Sequence, residues 1–273
     1  MSNPEIGKTI EAAGRKTNYM EEGTGPAVML LHGSGPGVTG YANWRLTIPE
    51  LASDFRVLAP DAMGFGYTER LENETYSPDA WIDHTIAFMD ATGVEKAHFV
   101  GNSFGGGLTL AIATRYPDRV DRIVLMGSAG LQFDLTEGLD TVWGYEPSLE
   151  NMRDIMNECF AYDKSLITED LIQSRYNASI RPGYQESFSA MFPAPRARHV
   201  AALSTPEDKI AEMAHQALII HGREDAVIPL ESSLRLHQLL KHSELHVYGE
   251  CGHWTQIEKK DHFNRLVKDF FLR

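Results

Sequence analysis

Cysteine is scarce: only Cys159 and Cys251 occur in 273 residues, and they lie far apart. A disulfide is not expected, and a reduced, cytoplasmic protein fits best. Long apolar runs are missing too. No stretch approaches the roughly 20 residues that a membrane helix needs. Met1 to Gly14 is mixed and polar, without the apolar core of a secretory signal. Positive charge is in deficit, with 25 basic against 38 acidic residues and a net charge of −13. Nucleic acid and anionic membrane are therefore poor partners, and neither is expected. An anionic small molecule would have to be met by local positive charge. No Lys-Ser/Thr pair closes a glycine-rich loop, which removes a phosphate-binding P-loop. His242-x-Glu244-x-His246 straddles the start of a strand, and Cys251-x-His253 is too sparse for structural zinc. Neither a metal nor a cofactor is expected.

What is present is an alternation of short buried strands and helices. Ala27–Leu31, Phe55–Ala59, Ala97–Val100 and Arg122–Met126 are apolar runs bounded by Gly or Pro, the pattern of strands covered on both faces. Between them, Ser77 caps a helix with Pro78 at its first position. Trp81, Ile82, Thr85, Ile86 and Met89 then share one face, and Gly93 closes it. The alternation stops near Leu131. Residues 133–208 carry helical stripes: Leu149, Met152, Met156 and Cys159; then Leu171, Ile172, Arg175 and Tyr176 after a Thr168 cap; then Phe188, Met191 and Phe192. Strands resume at Ala217–Ile220 and Glu244–Tyr248, and a helix with Phe263, Leu266, Val267, Phe270 and Phe271 at core spacing ends the chain. The length suits one core with an insertion. The expected fold is α/β, with a mostly parallel central sheet flanked by helices. Residues 1–132 and 209–273 form the core domain, and 133–208 an inserted helical cap.

Gly101-Asn102-Ser103-Phe104-Gly105 sits between a strand and a helix. In that context G-x-S-x-G is a nucleophile elbow, with the serine hydroxyl exposed on a tight turn at a helix N-terminus. A serine needs a general base, and the base needs an orienting acid. In this type of site the chain order is Ser, acid, His. The loop after the 217–220 strand supplies Asp225, with Glu224 as the local competitor, read as a solvated charge. The loop after the last strand supplies His253. Both loops leave strand ends on the elbow's side of a parallel sheet, where open α/β sheets bind ligands. The first loop, His32-Gly33-Ser34-Gly35-Pro36-Gly37, lies where such folds supply an oxyanion-hole amide; the N–H groups of Ser34 and Phe104 are assigned to it.

These features resemble the α/β-hydrolases. Three segments sharpen the likeness: the first loop followed by Tyr41-Ala42-Asn43-Trp44, the elbow extended through Gly107, and Gly252-His253-Trp254-Thr255-Gln256. With Ala161–Leu166 leading to Arg175-Tyr176, they look like the meta-cleavage product hydrolases across the whole chain, nearest the 2-hydroxymuconic semialdehyde branch. The resemblance implies hydrolysis of a carbon–carbon bond in a ring-fission dienoate, giving 2-hydroxypenta-2,4-dienoate and a small carboxylic acid. It implies Ser103, Asp225 and His253 as the triad. Gly33, Asn43, Asn102, Arg175 and Trp254 would bind the dienoate end, and Phe160 would pack on the substrate. Leu139, Trp143 and Val227 would limit the tail group. It also favours a homo-oligomer. The nearest rival is a serine carboxylesterase with a small acyl substrate; a receptor that binds without turnover is the rival from another class. A dehalogenase or epoxide hydrolase would need a carboxylate where Ser103 stands.

Overall fold

A computed structural model describes residues 3–273. Its sheet contains β1 (Lys8–Ala12), β2 (Arg15–Glu22), β3 (Ala27–Leu31), β4 (Arg56–Pro60), β5 (Ala97–Asn102), β6 (Val120–Met126), β7 (Ala217–Gly222) and β8 (Ser243–Tyr248). Across the sheet the order is β1-β2-β4-β3-β5-β6-β7-β8. β3 to β8 pair in parallel, while β1 with β2 and β2 with β4 pair antiparallel. The strand order reverses at β3, which lies between β4 and β5. That places a crevice beyond the carboxyl ends of β3 and β5, the usual ligand position in an open α/β sheet.

Alternate side chains along the central strands face opposite ways and build two cores. Met29, Leu31, Phe99 and Leu125 pack on one side with Trp81 and Phe88 of the helix Pro78–Ala91 and Leu108 and Ile112 of the helix Phe104–Arg115. Val28, Leu30, Val100 and Val124 pack on the other with Phe263, Val267 and Phe270 of the closing helix Lys260–Leu272. The Ser77 cap is realised: its side chain accepts from the Ala80 N–H. β1 and β2 are not anticipated by the sequence pattern. β2 buries Thr17 and Asn18, polar residues that mask a strand's apolar signature.

Between β6 and β7 the chain is helical, with no strand among the described residues there. Thr168 caps the helix Glu169–Ser179 through its side chain. Met152, Met156 and Cys159 are buried as a stripe, but Leu149 is exposed. The α-helix there stops at Asp154 and continues as a π-helix through Phe160, which rotates the stripe. Trp143 and Phe192 stack with centroids 4.4 Å apart, and Trp81 meets Phe104 at 4.8 Å and Phe192 at 6.0 Å. Aromatic contacts therefore tie the inserted helices to the helix that follows Ser103.

Two buried imidazoles make the fold acid-sensitive. His32 accepts the Ala62 N–H at 2.9 Å, and His84 contacts the Thr17 hydroxyl at 2.8 Å. Burial pushes both down to about 4. As pH falls below the ordinary histidine value, the unfolded chain takes up protons that the folded rings refuse, so stability is lost between about 6.5 and 4. Each ring contributes a loss of about 2 kcal/mol by pH 5. Asp61, pushed up to about 6 by burial, acts in the opposite sense and offsets about 1 kcal/mol. The expected result is a melting temperature about 5–10 °C lower at pH 5 than at pH 7.5. Calorimetry checks it, and His84→Gln should flatten the slope.

Candidate active site

β5 ends at Asn102 and the next helix begins at Phe104, leaving Ser103 alone on the turn with φ of 53°. A left-handed conformation at a non-glycine residue costs of order 1–3 kcal/mol, so its surroundings must enforce it. They do: the Ser103 N–H donates to the Met126 carbonyl at 2.9 Å, and the Ser103 carbonyl accepts from Gly106, Gly107 and Ala129. The flanking glycines are needed for close approach. A Cβ on Gly101 would lie 2.4 Å from the Gly105 carbonyl oxygen, and one on Gly105 would lie 2.2 Å from that of Leu31. The Ser103 hydroxyl faces a cavity and makes no hydrogen bond among the described residues.

Asp225 follows β7 and His253 follows β8, so the parallel register of the two strands brings their loops together. The two side chains meet at 2.7 Å between Asp225 Oδ2 and His253 Nδ1. The carboxylate is an acceptor, so Nδ1 carries the proton and Nε2 is left as the basic nitrogen. The other Asp225 oxygen accepts from the N–H groups of Val227 and Ile228 at 2.8 and 2.9 Å. Burial pushes the Asp225 carboxyl up, but His253, His221 and the Ile228 N–H together hold it below its ordinary value. His221 Nε2 stands 3.5 Å from Asp225 Oδ2 while contacting the Ile228 carbonyl at 3.0 Å. Gly127, at φ of 47°, leaves the room this pair occupies: a Cβ there would fall 3.0 Å from both Asp225 Oδ2 and His253 Nδ1.

The first loop closes on the serine from the opposite side. A Cβ on Gly33 would lie 3.5 Å from Ser103 Cβ. The N–H groups of Ser34 and Phe104 have no protein acceptor among the described residues. Free amides beside a hydroxyl on a helix N-terminus can receive an oxyanion. The Ser34 hydroxyl is itself held by the Trp143 indole N–H at 2.9 Å.

The cavity measures about 210 Å³ and is lined by Ser103, His253, Gly33, Ser34, Asn43 and Asn102 on its polar side. Leu139, Val142, Met156, Phe160 and Val227 supply apolar wall, with Trp254 beside them. Phe160 stacks on Trp254 at 4.9 Å and on His253 at 6.1 Å. Asn43 Oδ1 accepts the Gly33 N–H, whereas its buried Nδ2 has no partner and remains a donor. Trp143 departs from expectation: it does not line this cavity, because stacking on Phe192 and the bond to Ser34 turn it into a brace. Arg175 does line it, but Nη2 is ion-paired with Glu5 and Nη1 donates to the Gly37 carbonyl at 2.8 Å. Glu224 keeps part of its side chain in solvent beside Arg223, as expected of a loop charge, and it also accepts the Cys251 N–H at 3.0 Å and braces the histidine loop.

Sequence reasoning missed Glu5, His221 and Glu258. Glu258 accepts from the Gly252, Tyr162 and Asp163 amides at 2.8–2.9 Å, joining the histidine loop to the inserted helices. No local pattern marks it, because all three amides come from elsewhere in the chain.

Comparison with known proteins finds the same fold. The family model described as alpha/beta hydrolase fold matches residues 26–260. A 2-hydroxymuconate semialdehyde hydrolase of Pseudomonas sp. (strain CF600) is 54% identical over 98% of this chain and 95% of its own. A 2-hydroxy-6-oxo-2,4-heptadienoate hydrolase of Pseudomonas putida is also 54% identical, over 98% and 97%. Among solved structures, the meta-cleavage product hydrolase CumD of Pseudomonas fluorescens IP01, an S103A mutant complexed with acetates, superposes with a TM-score of 0.97. It shares 60% identity and is covered over 98% of both chains.

Proposed function

This chain belongs to the α/β-hydrolase family, among its meta-cleavage product hydrolases, and we infer that it hydrolyses a carbon–carbon bond in a ring-fission dienoate. The substrate class is 2-hydroxymuconic semialdehyde or 2-hydroxy-6-oxohepta-2,4-dienoate, and the products are 2-hydroxypenta-2,4-dienoate with formate or acetate. One observation carries the mechanism: a buried Asp225–His253 pair and two free amides converge on the cavity that Ser103 faces.

Carbon is a poor leaving group unless its electron pair is delocalised. The dienol therefore first becomes a keto form, which makes the departing fragment a stabilised dienolate. His253 Nε2 takes the Ser103 proton as the hydroxyl oxygen attacks the distal carbonyl. The amides of Ser34 and Phe104 receive the oxyanion. The carbon–carbon bond breaks with its electron pair delocalised onto the 2-oxo oxygen. On that oxygen the resulting dienolate takes up the proton held by His253, and it leaves as 2-hydroxypenta-2,4-dienoate. Water then hydrolyses the acyl-serine to the small carboxylic acid. Asn43, Asn102, Trp254 and Arg175 hold the dienoate end, Gly33 keeps the backbone close to it, and Phe160 covers it. Leu139, Val142 and Val227 bound the tail. We place the enzyme in the cytoplasm as a homo-oligomer, by analogy with soluble catabolic enzymes. No described helix is long and apolar enough to cross a membrane.

Stopped-flow absorbance with ring-opened catechol and 3-methylcatechol tests the reading: the yellow dienolate should bleach over many turnovers. Arg175→Ala should cut kcat/KM for dienoate cleavage by about 10²-fold, and hydrolysis of p-nitrophenyl acetate far less. Equal losses on the two substrates would favour a carboxylesterase.

A further inference from the structure

We infer that Arg45 supplies the uncompensated positive charge that draws and holds the substrate anion, a specificity role that rests on the dienoate reading above. Two arginines line the cavity, Arg45 and Arg175. The Arg175 charge is already balanced. Its partner Glu5 lines the same cavity, and the two side chains are only 12% and 10% exposed. A substrate carboxylate arriving there must compete with Glu5 for that guanidinium.

Arg45 differs. It follows the short helix Gly40–Trp44, and its Nη1 donates to the Ala42 carbonyl at 2.6 Å, which fixes the guanidinium but leaves its charge whole. No carboxylate pairs with it among the described residues; the groups that act on it are burial and Tyr41. A guanidinium stays protonated under all ordinary conditions, so this is a permanent cation. Two residues away, the buried Asn43 Nδ2 lacks an acceptor. From the histidine loop, Gln256 lines the same wall and donates to the Asn43 carbonyl at 3.4 Å. A fixed cation and an unfilled amide donor thus both line the cavity, and each can meet an anionic substrate oxygen. The rest of the molecule repels it, since the chain carries a net charge of −13. A lone local cation in a partly desolvated cleft therefore has a large effect on encounter and on KM.

The test is Arg45→Gln, assayed on the ring-fission product of 3-methylcatechol and on p-nitrophenyl acetate, which is neutral. The dienoate KM should rise about tenfold with kcat changed less than about twofold, and the dienoate-to-ester ratio of kcat/KM should fall by a similar factor. The decrease of dienoate kcat/KM with ionic strength should flatten. Arg45→Lys should recover most of the loss. Lys96→Gln, a charge-matched change at the amino end of β5, should behave as the parent protein. A dienoate KM within twofold of the parent, or equal losses on both substrates, would overturn the assignment. A parent enzyme that hydrolyses the ester and leaves the dienolate unbleached would instead overturn the reading of the reaction.

Discussion

Ser103→Ala is expected to lower dienoate turnover by about 10⁴-fold or more while leaving the substrate bound. The substitution removes one oxygen and nothing that shapes the cavity. The amides of Ser34 and Phe104 stay free, the Asp225–His253 pair keeps its 2.7 Å contact, and Asn43 and Arg175 still line the wall. The left-handed backbone at position 103 is set by main-chain bonds to Met126, Gly106, Gly107 and Ala129, which alanine retains. Melting temperature should therefore change by no more than a few degrees. Mixing the variant with the dienoate in stopped flow should give a persistent coloured complex with a parent-like dissociation constant. Turnover within a hundredfold of the parent would remove Ser103 as the nucleophile.

The second large effect is at Asp225. Asp225→Asn is isosteric, yet kcat should fall by about 10³–10⁴-fold. The reason lies in which atoms the carboxylate serves. One oxygen accepts from the Val227 and Ile228 amides, so in the variant the single amide oxygen settles there. The NH₂ group is then presented to His253 Nδ1, which must become an acceptor. The ring proton moves to Nε2, and the nitrogen that would serve as base can no longer take the Ser103 proton. Nitrogen-15 spectra of the imidazole should report the switched tautomer directly. A variant with unaltered tautomer and kcat within tenfold would mean that the acid is dispensable.

Periodicity made the sheet and its parallel half legible, because strands buried on both faces read as unbroken apolar runs at Ala27–Leu31 and Ala217–Ile220. The serine, acid and histidine were legible because each follows a strand at the same sheet edge. Other parts were hidden for physical reasons. β2 buries Thr17 and Asn18, satisfied by His84 and Asp61, so the strand reads as a polar surface segment. Trp143 has the composition of a pocket wall, and only its bond to Ser34 reveals a brace. Arg175 reads as an anion site, and its ion pair with Glu5, 170 residues away in the chain, is invisible in the sequence. Pairings over that distance leave no spacing to detect.

The ion pair with Glu5 has a practical consequence for handling the enzyme. Pro4 and Glu5 form part of the cavity wall, so any tag, linker or bead fused ahead of them is anchored at the mouth of catalysis. The closing helix leaves by the other pole: Arg122, near the amino end of β6, donates to the Phe270 carbonyl, and Leu272 is open to solvent. Immobilisation or labelling through the carboxyl end keeps such freight a full sheet's length from the chemistry.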